Sequence, residues 1–84
     1  MRENEVERHY KKLVEDAGGM FMKLNSVTHS GVPDRIVLLP KGIIYFVEFK
    51  APGKKPRALQ QHMINQMREL GQDVRVIDRK VDKL

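Results

Sequence analysis

Eight consecutive residues, Ile43-Ile44-Tyr45-Phe46-Val47-Glu48-Phe49-Lys50, constrain this chain more than any other segment. β-Branched and aromatic residues dominate the run, so it reads as a strand. Side chains alternate along a strand, so Ile44 and Phe46 point one way while Ile43, Tyr45, Val47 and Phe49 point the other. Apolar residues on both sides predict a central strand with both faces covered. The covering elements must come from a short chain. Its 84 residues suit one domain, 1–84, with a thin core. There is no Cys, so disulfides, thiol nucleophiles and Cys-based metal sites are excluded, which fits a reducing compartment.

The rest of the chain supplies the cover. Residues 3–17 read as a helix, with Val6, Tyr10, Leu13, Val14 and Ala17 on one stripe and Gly18-Gly19 as its stop. Met20 to Leu24 reads as a short strand and 25–32 as a polar loop. Ile36 to Leu39 reads as a strand, with Pro40-Lys41-Gly42 as its turn. Arg57 to Leu70 reads as a second helix with Leu59, Met63, Met67 and Leu70 buried, and 73–77 as a last strand. The order is α-β-β-β-α-β. It implies an α/β (α+β) fold whose mixed central sheet carries a helix on each face. No apolar run approaches the roughly 20 residues that span a bilayer, and the charged N-terminus lacks a signal peptide's apolar stretch, so the expectation is a cytoplasmic protein with no membrane partner. The basic tail 79–84 reads as solvated.

Sixteen Lys and Arg against eleven Asp and Glu give a formal charge of +5, which favours a polyanionic partner. Only five Phe and Tyr are present and Trp is absent, mostly in expected core strands, so the stacking platform of a single-strand RNA reader is missing. His9, His29 and His62 are far apart and show no metal-ligand spacing.

The informative residues are charges on faces expected to be buried. Glu48 and Lys50 share the face of Ile44 and Phe46. Asp34 follows Pro33 and leads directly into the neighbouring strand, where its side chain is able to reach the same strand end. Both have bland alternatives: an exposed strand end for Glu48 and Lys50, turn chemistry for Asp34. On helix 1, at 100° per residue from Val6, Glu3 lies at about +60° and Glu7 at about +100°, inside and at the edge of the apolar arc. An Asn4 cap with Glu7 three residues on is the capping-box alternative. Gln60 lies beside the helix-2 stripe, and Gln61 toward solvent. Together Asp34, Glu48 and a helix-1 acid form a hard-oxygen set of the kind Mg²⁺ prefers. Lys50 suits proton transfer or charge stabilisation, and Lys54, Lys55 and Arg57 suit phosphate. The composite is metal-assisted phosphodiester hydrolysis on nucleic acid.

Gly31-Val32-Pro33-Asp34, then Glu48-Phe49-Lys50, then Gln60 resembles the VRR-NUC (virus-type replication-repair nuclease) family of the PD-(D/E)XK nuclease superfamily. The likeness runs from Glu3 to about Ile77 and includes the stretches 31–37 and 46–53. It implies a restriction-endonuclease-like core and a single VRR-NUC domain over 1–84. It implies Mg²⁺ or Mn²⁺ at Asp34 and Glu48 with the Phe49 carbonyl, Lys50 as catalytic lysine, Gln60 as the helix-2 glutamine, and Glu7 ahead of Glu3 as the helix-1 acid. Lys23, Ser30 and Arg35 join the basic loop as expected DNA contacts. Small stand-alone members look like phage proteins, so the resemblance implies a homodimer acting on branched DNA such as Holliday junctions, in a bacterial or phage-infected cell. The rival reading is a non-catalytic DNA-binding module of the same fold.

Overall fold

A computed structural model describes all residues, 1–84. The elements are α1 (Glu3–Asp16), β1 (Met20–Lys23), β2 (Arg35–Leu39), a 3₁₀ turn (Pro40–Gly42), β3 (Ile43–Phe49), α2 (Ala58–Glu69) and β4 (Val74–Ile77). They follow the α-β-β-β-α-β order expected. The sheet order is β1-β2-β3-β4. β1, β2 and β3 form an antiparallel meander, and α2 carries the chain over to β4, which runs parallel to β3. A parallel neighbour requires such a crossover, so the mixed sheet follows from the helix between its last two strands. No helix is long and apolar enough to cross a membrane.

The core lies between α1 and the sheet. Val6, Tyr10 and Val14 recur every four residues on α1, and all three are buried. They meet Val37 of β2 and Tyr45, Val47 and Phe49 of β3. Burying each such side chain is worth about 1.5–3 kcal/mol. Tyr10 packs edge-on against Phe49 at 5.7 Å between ring centres. The Tyr10 and Tyr45 hydroxyls hydrogen-bond to each other, and the Arg75 guanidinium lies over the Tyr45 ring at 3.6 Å. Burial, reinforced by the Tyr10 bond, pushes the Tyr45 phenol well above its ordinary value. The helix ends where Gly18 adopts φ +82, a conformation glycine takes at no steric cost.

Four expectations need correction. β3 is not covered on both sides along its length: Tyr45, Val47 and Phe49 are buried under α1, but Ile44 is 57% exposed. α2 covers only the far end of the other face. Its rotation also differs from the expected stripe. Ile64 is the buried residue, Leu59 and Leu70 are exposed, and Gln60 and Gln61 are half-buried. The reason is polar: Gln60 is turned inward to reach Glu48, and that sets the register of the helix face. Asn4 does not cap α1, because the helix starts one residue before it and Arg2 holds the cap position without a side-chain bond. Finally, the tail is not merely solvated. Val81 and Leu84 pack on the core, and His9 Nε2 donates to the Val81 carbonyl at 2.9 Å.

Candidate active site

The site forms where β2 begins and β3 ends, because antiparallel pairing brings those two ends together. Asp34 sits just before β2, held by the buried Pro33. Its Oδ2 accepts from the Phe49 backbone N–H at 3.3 Å. Gly31, three residues earlier, is required by packing as well as by its φ of +80: a Cβ there would lie 2.8 Å from the Leu59 carbonyl oxygen. The loop at Gly31 therefore lies directly against the first turn of α2.

Glu48 is the centre of the arrangement, with 1% of its surface exposed. Its Oε2 accepts from Lys50 Nζ at 3.2 Å and from Gln60 Nε2 at 3.1 Å. Its Oε1 is buried without a hydrogen-bond partner. Burial, then the charge of Asp34, push the Glu48 carboxyl up to about 7, and Lys50 only partly offsets them. A buried carboxylate with one orphaned oxygen is costly unless something else meets it. Both ends of the Gln60 amide are used, since its Oε1 accepts from the Arg57 backbone N–H at 2.9 Å. Gln60 therefore caps α2 and orients Glu48.

Asp34, Glu48, Lys50 and Gln60 thus come together as the sequence predicts. The helix-1 acids come near but do not join them. Glu3, Glu7, Asp34, Lys23 and Arg35 line one cleft of about 310 Å³. Within it Glu7 Oε1 pairs with Arg35 Nη2 at 2.9 Å. No group of three or more acidic or histidine side chains is close enough to hold a metal ion. The capping-box reading of Glu7 fails with the Asn4 cap, and the inward lean read from its helical angle holds.

Lys54, Lys55 and Arg57 are exposed and free of ion pairs beside the site, and Ser30 is exposed on the loop before Asp34. Arg35 is different from the other expected DNA contacts. Besides Glu7 it donates to the Asp34 carbonyl at 3.0 Å, and it lies 5.7 Å from the Phe21 ring centre. It ties α1 to β2 and steadies Asp34. The opposite charges of Glu7 and Arg35 are visible in the sequence, but their pairing depends on how α1 lies across the sheet.

A solved structure described as a VRR_NUC domain superposes on this fold with a TM-score of 0.84 at 36% identity, covering 90% of this chain and 83% of that one. A protein of Acyrthosiphon pisum secondary endosymbiont phage 1, named "Putative nuclease p44", is 44% identical over 78 residues, 93% of this chain and 84% of its own length. No protein-family model matches. Fold, site and relatives define a nuclease domain. The chain belongs to the VRR-NUC family.

Proposed function

We propose that this nuclease is a metal-dependent DNA endonuclease, with Asp34, Glu48 and the Phe49 carbonyl holding Mg²⁺ or Mn²⁺. The observation that carries the reading is the orphaned, buried Oε1 of Glu48 beside a second carboxylate. The donor set is all oxygen, as these hard cations prefer, and a cation there would meet the oxygen that no protein group meets. With only two side-chain carboxylates, waters complete the shell, as is usual for Mg²⁺. When bound, the ion supplies Lewis-acid polarisation of a phosphoryl oxygen and a more acidic water.

The protein's own groups do the rest. Asp34 and Glu48 are fixed by the Phe49 N–H and the Gln60 amide, so neither must reorganise during reaction. Lys50 is 16% exposed in its side chain and bonded to Glu48, which holds its ammonium at the strand end beside Asp34. From there it donates to the attacking water or to a non-bridging phosphate oxygen and stabilises the negative charge that grows on phosphorus oxygens. Lys54, Lys55 and Arg57 hold the flanking backbone by charge.

The proposal extends to a homodimer acting on branched DNA in a bacterial or phage-infected cell. Its support is the uncovered sheet face. Met20, Leu38 and Ile44 are register partners across three strands, and Met20 and Ile44 are each 57% exposed. A two-fold pairing of that face would bury it and present two sites related by symmetry. The test is nicking of labelled four-way junctions, flaps and linear duplex with Mg²⁺, with Mn²⁺ and with EDTA. Cleavage only with metal, strongest on junctions, is expected. Cleavage undiminished by EDTA overturns the metal assignment. Tight binding without cleavage of any substrate favours the non-catalytic module.

A further inference from the structure

We infer that the outward side of α1 is a second binding surface for the phosphate backbone of the substrate, leading away from Asp34 toward the C-terminal tail. The inference rests on the nuclease reading above and adds a path for the nucleic acid that the basic loop 54–57 does not provide.

Three clefts adjoin along α1. The first, about 310 Å³, contains Asp34 and is the acidic one. The second, about 390 Å³, shares Asn4, Glu7, Lys23 and Arg35 with it and adds Arg8 and Lys11. The third, about 570 Å³, shares Asn4 and Arg8 with the second and adds Arg2, Lys12 and Lys80, together with His9 and one carboxylate, Glu5. Asn4 borders all three, so the clefts adjoin around α1, and together they make up the groove. Its charge changes along its length: three carboxylates, Glu3, Glu7 and Asp34, line the first cleft, whereas the second and third hold one each, Glu7 and Glu5, and cations outnumber them there.

The cations matter because most of them are uncommitted. In the second cleft the one carboxylate, Glu7, is already paired with Arg35, which leaves Arg8, Lys11 and Lys23 without any ion-pair partner. In the third, Lys12 pairs with Asp16, while Arg2 and Lys80 are unpaired. Scattered surface cations are ordinary. Unpaired cations in clefts that adjoin the one holding Asp34 match a polyanionic strand. From residue 2 to residue 12 the helix rises about 15 Å, or about four base-pair steps at 3.4 Å each. The far wall is firm, because Val81 and Leu84 pack on the core and His9 bonds to the Val81 carbonyl.

The test is the salt dependence of duplex DNA binding by the full chain, measured by fluorescence anisotropy in EDTA so that no cleavage intervenes. Arg8 and Lys11 are exposed and unpaired, so an Arg8→Gln/Lys11→Gln variant keeps the fold, which thermal unfolding checks. Losing two phosphate contacts lowers the slope of log affinity against log salt by about 1.8. A charge-matched control, Lys41→Gln/Lys83→Gln, lies outside the groove and leaves the slope unchanged. Equal slopes in wild type and the Arg8/Lys11 variant overturn the inference, as does equal loss in both variants. A wild-type protein that binds DNA but never cuts it sinks the nuclease reading while the slope still decides the groove. Normal cutting with an unaltered slope sinks the groove alone.

Discussion

On the α1 side of the sheet, Val6, Tyr10 and Val14 close over Val37, Tyr45, Val47 and Phe49, and every one of these is buried. On the α2 side, Ile64 is the only residue of the helix fully buried, and Glu48 is buried beneath it while Ile44 and Met20 stay exposed. One face is apolar and closed. The other is polar at one end and open at the other. The same strand, β3, serves both, by alternation of its side chains. With only 12 of 84 residues buried, the α1 face must carry most of the stability, which frees the α2 face to hold a carboxylate in an unfavourable setting.

That contrast is breakable by mutation. The largest effect belongs to the open face: Asp34→Ala and Lys50→Ala should each lower the single-turnover cleavage rate by about 10²–10⁴-fold while moving thermal unfolding little. Near-normal rates in Lys50→Ala would take that lysine out of the mechanism. On the closed face the outcome reverses. Phe49→Ala should cost about 3–5 kcal/mol in urea unfolding, enough to unfold a domain with so thin a core. A loss below 1 kcal/mol would mean that the closed face is not where stability resides.

A pH series separates the faces next. The Glu48 carboxyl, pushed up to about 7 from 4.5, is easier to ionise in the unfolded chain than in the folded one. Its contribution is therefore fully present below about pH 4.5, declines as pH rises, and is lost above about pH 7. The decline is at most about 3 kcal/mol. Urea unfolding at intervals across that range should show it, and Glu48→Gln should flatten it. A wild-type curve as flat as the variant's would contradict the strained setting assigned to Glu48. The smallest stability effect is expected at the exposed end. Ile44→Lys should change unfolding by less than about 0.5 kcal/mol yet shift sedimentation from dimer toward monomer. An unchanged sedimentation profile would contradict the proposed dimer face.

Much of this was readable from local pattern. The alternation in 43–49 is decisive because a strand's period of two leaves little choice of which residues share a face. The Val6, Tyr10 and Val14 stripe is as clear for a period of 3.6. Helix 2 is where local pattern misleads. Leu59 and the cap residue Leu70 are apolar yet exposed, while the helix turns Gln60 and Ile64 inward, where Gln60 bonds the buried Glu48 carboxylate. The Glu7–Arg35 pair and the anchored tail depend in the same way on distant segments meeting.

By itself the sequence determined the element order, the central strand, the closed apolar face and the joint presence of Asp34, Glu48 and Lys50 at one strand end. These follow from backbone periodicity and from the pairing that a short turn enforces between neighbouring strands. Only the tertiary structure decided that Glu48 is buried with an oxygen unmet, that Gln60 holds it, that Arg35 faces inward, and that cations line a groove along α1. Burial, partners and concavity arise from the packing of segments far apart in the chain, and residue spacing along the chain carries no record of them.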